Sequence, residues 1–167
     1  VILAGGRPYL LPLKEENNFL PDLQNIPFSV RKKSRLLYLN YPNNPTAACA
    51  GMEFYQEAAS FARKNKLIVI SDLAYSEINY DGAKPPSFLQ VSGAKDFSIE
   101  FHSLSKTCNM TGWRVGFACG NAALISGLAK VKANIDSGIF SAIQLAAVTA
   151  LRQSAGHIQK MRSVYQK

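Results

Sequence analysis

Leu36-Leu37-Tyr38-Leu39 and Leu67-Ile68-Val69-Ile70 are the two stretches on which the fold of this chain turns. Each is a short, continuous apolar run bounded by polar residues, the pattern of a strand covered on both faces in a parallel sheet. Between them Met52, Phe54, Tyr55, Ala58, Ala59 and Ala62 recur at helical spacing, with Gln56, Glu57, Arg63 and Lys64 on or near the other side. Parallel strands need a crossover of this length, so the segment reads as a β-α-β unit.

Working outward, Ser98 to Ser103 reads as a third strand and Val115 to Cys119 as a fourth. Asn121 suits the N-cap of a helix whose stripe is Leu124, Ile125, Leu128, Val131 and Ile135. An apolar helix from about Ser141 to Leu151 and a polar one from near Ala155 follow. The front, Val1 to Pro27, carries Pro8, Pro12, Pro21 and Pro27 and reads as a short strand or two followed by an extended loop. The expected fold class is α/β, a mostly parallel sheet flanked by helices, without internal repeats or low-complexity segments.

The 167 residues suffice for one domain, and 47% hydrophobic residues supply its core. The 19 basic against 11 acidic side chains give +8, a charge that could attract nucleic acid, acidic membranes or anionic small molecules. Apart from Arg31, Lys32, Lys33 and Arg35 the cations are scattered, and the tail after Asp136 holds no carboxylate. That distribution describes a solvated surface, so no nucleic-acid partner is expected. No run of about 18 apolar residues exists, so neither is a transmembrane helix or a membrane partner. Val1 is not a methionine and no basic segment precedes the first apolar residues, which reads as a piece of something longer rather than a secretory signal. Cys49, Cys108 and Cys119 are odd in number and, with His102 and His157, lack metal-ligand spacing. Free, mostly buried thiols in a reducing cytoplasm are expected, without disulfide or zinc.

In α/β sheets ligands collect beyond the carboxyl ends of the strands. There the chain places Asn40-Tyr41-Pro42-Asn43-Asn44-Pro45-Thr46, Ser71-Asp72-Leu73-Ala74-Tyr75 and Ser103-Leu104-Ser105-Lys106. In order and spacing these resemble the signature of pyridoxal-phosphate aminotransferases of fold type I, classes I and II. Asn43-Asn44-Pro45-Thr46 resembles the family's asparagine-proline-threonine-glycine turn, with Ala47 where glycine is usual. Asp72-x-x-Tyr75 resembles its aspartate and tyrosine pair, and Ser103-x-Ser105-Lys106 with Gly112-x-Arg114-x-Gly116 its lysine block. The resemblance covers Val1 to about Leu151.

The resemblance implies a cofactor, pyridoxal 5'-phosphate, and a role for each residue. Lys106 is the implied Schiff-base lysine, a reaction that needs a neutral amine and is favoured by burial beside cations. Asp72 is implied to be a buried carboxylate holding a proton on the pyridine nitrogen. Asn44 and Tyr75 are implied to hydrogen-bond the phenolic oxygen, and Ser103, Ser105 and Arg114 to grip the phosphate. Lys106, Asp72 and Tyr75 are thus the catalytic candidates, and Asn44, Ser103, Ser105 and Arg114 complete the cofactor set. Trp113, Phe140 and His102 read as packing residues, and Cys108 as a buried thiol.

The stretches His102 to Thr107, Asn109 to Arg114 and Lys130 to Gly138 resemble LL-diaminopimelate aminotransferases of bacteria and archaea, as does the opening through Asn17-Asn18-Phe19-Leu20-Pro21-Asp22-Leu23. Those enzymes exchange the amino group of glutamate with tetrahydrodipicolinate on the route to lysine. Asn109 to Arg114 also resembles aspartate, alanine and aromatic aminotransferases, and a pyridoxal-dependent carbon-sulfur lyase would use the same residues. The resemblance implies small amino and keto acids as partners and a homodimer. It also implies that residues 1–153 are an incomplete large domain and 154–167 the start of a connection to a small domain. The strand separating the Val1 strand from the Leu36 strand, the phosphate loop and the carboxylate-binding arginine are implied to lie outside the 167 residues, which alone are expected not to transaminate.

Overall fold

The computed structural model describes residues 1–80, 82 and 84–166. In chain order the regular elements are α1 (Phe28–Lys33), β1 (Leu36–Asn40), α2 (Met52–Asn65), β2 (Ile68–Asp72), β3 (Ser98–Ser103), α3 (Leu104–Thr107), β4 (Gly116–Gly120), α4 (Ala122–Ile135), α5 (Ser141–Gln153) and α6 (Ala155–Tyr165). One sheet has the order β1-β2-β3-β4, with the first three strands parallel and β4 antiparallel to β3. This is the expected mostly parallel α/β arrangement, and α2 is its crossover. Register places Asn40 beside Asp72, Asp72 beside Phe101, and Ser103 beside Gly116. The carboxyl ends of β1, β2 and β3 and the start of β4 therefore lie along one edge.

The core forms where α2 meets the sheet. Tyr55, Ala58, Ala59, Phe61 and Ala62 are buried against Leu37, Leu39 and Val69, while Gln56, Glu57, Arg63 and Lys64 stay exposed. Three alanines on the buried stripe let the helix approach the strands closely. Tyr55 meets Phe88 edge-on at 5.5 Å, and Phe88 meets Phe97 at 6.3 Å, carrying the core from the helix to the segment before β3. The Tyr55 phenol is pushed well above its ordinary pKa by burial, with Glu100 adding to the shift, so it stays neutral. A second cluster, Leu104, Cys108, Met110, Val115 and Ala147, lies under α3 and ties it to α5.

Several sequence expectations change. Among the described residues of 1–27 there is no strand, only short 3-10 turns at Ile2–Ala4 and Glu15–Asn17. A strand needs a neighbour at hydrogen-bond distance. Here a cavity of about 520 Å³, lined by residues including Tyr9, Leu11, Leu36 and Tyr38, lies between that segment and β1, the edge strand. Nor is the first apolar run covered on both faces, since Leu36 is 42% and Tyr38 57% exposed whereas their neighbours Leu37 and Leu39 are buried.

The fourth strand begins at Gly116 rather than Val115, because Arg114 adopts a left-handed conformation (φ 52°) that delays pairing. Asn121 caps α4 as read, its Oδ1 accepting from the N–H groups of Ala123 and Leu124. The α4 stripe nonetheless has no buried residue, with Ile135 78% exposed, and Trp113 and Phe140 are exposed rather than packed. Of the thiols, Cys108 is buried, Cys119 half-buried and Cys49 exposed. Helix α5 runs two residues beyond the expected Leu151, and α6 begins at Ala155. Lys167 of the expected connection lies outside the described residues.

Candidate active site

The turn after β1 is built by asparagines. The Asn43 N–H donates to the Ala48 carbonyl and the Ala47 N–H to the Asn43 carbonyl, both at 2.8 Å, and Thr46 Oγ1 donates to Asn43 Oδ1 at 2.7 Å. Asn40 joins this turn to the next strand, its Oδ1 accepting the Asn44 N–H at 3.0 Å and its Nδ2 donating to the Asp72 carbonyl at 3.3 Å. Ala47 sits at φ 59°, left-handed backbone that glycine occupies without a Cβ clash. That is the physical reason glycine suits this position.

From that turn Asn44 Nδ2 donates to the Tyr75 hydroxyl at 3.3 Å, and Lys106 Nζ stands 5.9 Å from the centre of the Tyr75 ring. Asn44, Tyr75 and Lys106, from two loops and helix α3, thus form one group. Lys106 is half-buried. Asp72 ends β2 at the same edge, where one carboxylate oxygen accepts the Ala74 N–H at 3.2 Å. Its carboxylate is exposed rather than buried as expected, because strand alternation turns position 72 away from the buried side of Val69 and Ser71.

The lysine block forms a second group. Ser103 caps α3, its Oγ accepting the Ser105 N–H at 3.2 Å, and the Leu104 N–H donates to the Val115 carbonyl at 3.2 Å. Thr111 Oγ1 donates to the Ser105 carbonyl, and Arg114 Nη1 to the Thr111 carbonyl, each at 3.0 Å. Gly116 is needed for close approach, since a Cβ there would meet the His102 carbonyl oxygen at 2.4 Å, while Gly112 has open space. Among the described residues no hydrogen bond or ion pair joins Asp72 or Arg114 to Lys106. They share an edge, not a contact.

Sequence reading assigned no role to Asn40, Thr111 or Glu100. Asn40 announced itself only as the last polar residue of its strand. Glu100 is 1% exposed, and its carboxylate accepts from Ser87 Oγ (2.7 Å), the Phe88 N–H (2.9 Å) and Ser71 Oγ (3.1 Å), with His102 Nε2 at 3.0 Å. Burial pushes its pKa up, but the hydrogen bonds from His102, Ser87 and Ser71 and the His102 charge outweigh this and hold it below the usual carboxylate value. The His102 side chain, expected in the core, is 21% exposed, short of full burial, because the Phe117 ring on which it stacks at 4.7 Å and 7° is itself 42% exposed. Cys119, opposite Glu100, is pushed up by burial and by that carboxylate. Glu100, His102 and Cys119 bring their ligand atoms within 4.8 Å of one another, yet four donors already occupy the Glu100 oxygens.

Comparison with known proteins shows the family to which the chain belongs. Residues 1–167 match the family model for aminotransferase class I and II, and the chain belongs to that family. It is 56% identical over 165 residues to LL-diaminopimelate aminotransferase 2 of Trichormus variabilis, covering 99% of this chain and 42% of that protein. It is likewise 56% identical over 166 residues to LL-diaminopimelate aminotransferase of Aquifex aeolicus, covering 99% of this chain and 43% of that one. The crystal structure of the aromatic aminotransferase from Pyrococcus horikoshii superposes with a TM-score of 0.92 at 35% identity, over 99% of this chain and 45% of that one. The chain therefore spans about two fifths of the length of the curated relatives it matches. The cofactor this family implies is pyridoxal phosphate. The donor set fits it, with one amine, one carboxylate, an amide and phenol in contact, and two hydroxyls and a guanidinium for a phosphate.

Relieving the left-handed alanine gives a first prediction. Ala47→Gly should stabilise the protein by about 1 kcal/mol in denaturant unfolding, whereas Ala47→Val should destabilise it. The second concerns pH. Glu100 has a lower pKa folded than unfolded, so the unfolded chain takes up the proton first. Its contribution is complete above the ordinary glutamate value of about 4.3 and is lost as pH falls through the depressed folded value. The facing groups are Tyr55, Ser71, Ser87, His102 and Cys119. Urea midpoints measured from about pH 3 to 7 should show an acid limb that flattens in Glu100→Gln, whose stability at neutral pH falls by about 1–3 kcal/mol.

Proposed function

We propose that the protein containing this chain transfers an amino group between an amino acid, with glutamate as donor, and a keto or cyclic imine acceptor, as an LL-diaminopimelate aminotransferase of lysine biosynthesis. The observation that carries this reading is the gathering of Asn44, Tyr75 and Lys106 at the sheet edge where Asp72 ends β2, in a chain 56% identical to enzymes of that name. The 35% identity to an aromatic aminotransferase at a TM-score of 0.92 means that fold alone does not separate substrates.

Pyridoxal phosphate, when bound, supplies an electron sink for the substrate carbon that bears the amino group. Lys106 would hold it covalently through its amine, and the same amine, when free, would be placed to take the proton from that carbon. Asp72 would hold a proton at the pyridine nitrogen, and Asn44 and Tyr75 would donate to the phenolic oxygen. Ser103, Ser105 and Arg114 would bind the phosphate, with Arg114 offering two parallel donors. Thr111, bonded both to the Ser105 carbonyl and to Arg114, would keep those two in step.

In this reading residues 1–153 are part of a cofactor-binding domain and 154–167 begin a connection. Arg162 of α6 ties that connection back to the domain, donating from Nε to the Glu77 carbonyl at 2.6 Å and from Nη2 to the Glu77 carboxylate at 2.8 Å, just after Tyr75. The whole protein would act on small amino and keto acids as a homodimer in the cytoplasm. Three unpaired cysteines suit a reducing compartment, and no helix among the described residues is long and apolar enough to cross a membrane.

Borohydride treatment of the full-length protein with pyridoxal phosphate should fix the cofactor to the peptide carrying Lys106. Label on another lysine overturns the assignment. Asp72→Asn should lower turnover with glutamate more than about a hundredfold while leaving the unfolding midpoint nearly unchanged. Near-normal turnover would remove Asp72 from the chemistry, and release of pyruvate and ammonia without an acceptor would point to a lyase instead.

A further inference from the structure

Glu100 takes no part in the chemistry described above. It is nevertheless the one charged side chain that is buried among the described residues. A charge inside a sheet is costly, and an apolar residue of similar size often serves stability as well. Its value has to be sought in what it fastens.

Glu100 stands at the middle of the sheet, directly opposite Ser71 on β2 and Cys119 on β4. Its four hydrogen-bond contacts divide into two kinds. Ser71 and His102 each immediately precede a residue of the candidate site, Asp72 and Ser103 respectively. Ser87 and the Phe88 N–H belong to the turn before β3, away from the strand ends. His102 is fixed in turn by its stack on Phe117, its partner across β4. A slip of β3 by one residue along β2 would separate Glu100 from Ser71, move the strand end by about 3.3 Å and turn every side chain to the other face. Backbone pairing alone does not forbid such a slip; a buried carboxylate whose donor Ser71 sits on the facing strand opposes it, while His102 on β3 itself orients that carboxylate.

We propose that Glu100, acting through Ser71 and His102, is a positioning residue for the cofactor site: it sets the end of β3, with Ser103, Ser105 and Lys106, against the end of β2, with Asp72. This rests on the functional reading given above. Errors of about 1 Å in such placement are enough to weaken catalysis about a hundredfold, and in metal sites, a comparable case, removing the groups that orient the ligands changes affinity about 10- to 100-fold.

The test uses the full-length protein stripped of cofactor and titrated with pyridoxal phosphate, followed by absorption, well below each variant's unfolding temperature. Glu100→Gln and Ser71→Ala should each raise the dissociation constant about tenfold or more. Ser87→Ala removes a bond to the same carboxylate on the side away from the site, so it should lower the unfolding temperature yet keep the dissociation constant within about twofold. If all three variants lose stability and none loses affinity, Glu100 is structural only and the proposal falls. Equal loss of affinity in Ser87→Ala and Ser71→Ala overturns it as well, because the effect would then follow general stability. Should Glu100→Gln fail to fold, the contrast between Ser71→Ala and Ser87→Ala decides. A wild-type protein that does not bind pyridoxal phosphate overturns the functional reading and this inference together, an outcome distinct from wild-type binding that the variants leave unchanged.

Discussion

The hydrogen-bonded register of β1, β2 and β3 is the constraint on which the rest of this structure depends. It places Asn40 beside Asp72 and Asp72 beside Phe101, so three strands end along one line. Every candidate group hangs from one of those ends or from the turn that leads into β4. The strand ends do the spacing, so Asn44 reaches the Tyr75 hydroxyl across 31 residues of sequence. A site assembled on strand ends inherits their rigidity, which loops alone do not have.

That register is held from two sides. On one face α2 presses an alanine-rich stripe and Tyr55 onto Leu37, Leu39 and Val69, and the aromatic chain through Phe88 and Phe97 carries the packing to the foot of β3. Within the sheet, Glu100 bonds to β2 and to the turn before β3 with a full set of donors. The opposite arrangement holds at the periphery. Leu36, Tyr38, Leu145, Val148 and the α4 stripe keep apolar surface exposed, and α3 is a single turn resting on Leu104, Cys108 and Met110. Lys106, the proposed Schiff-base lysine, is therefore carried by a short element whose stability comes from the packing beneath it rather than from helix propensity.

What the sequence by itself determined is what local pattern can encode. The apolar runs at 36–39 and 67–70 and the helical stripe between them suffice for a β-α-β unit, since side-chain period and crossover length leave few alternatives. The Asn44, Asp72–Tyr75 and Ser103–Lys106 segments could be assigned to strand ends because each directly follows an apolar run. Asn121 declared itself as a cap by residue type and position. Tertiary structure decided what depends on neighbours distant in the chain. Whether Val1 to Pro27 pairs as a strand depends on an adjacent strand, and here a cavity intervenes. Leu36 and Tyr38 are apolar yet exposed, because burial belongs to the layer packed on a face and not to the residue. Asp72 faces solvent, which its place after a buried strand did not reveal, and Glu100, one acidic residue in a strand of mixed character, became the buried junction of two strands and a turn. A lone charge in a sequence carries no sign of its partners, since three of the four donors that make its burial tolerable lie 12, 13 and 29 residues away and meet it only when the chain is folded.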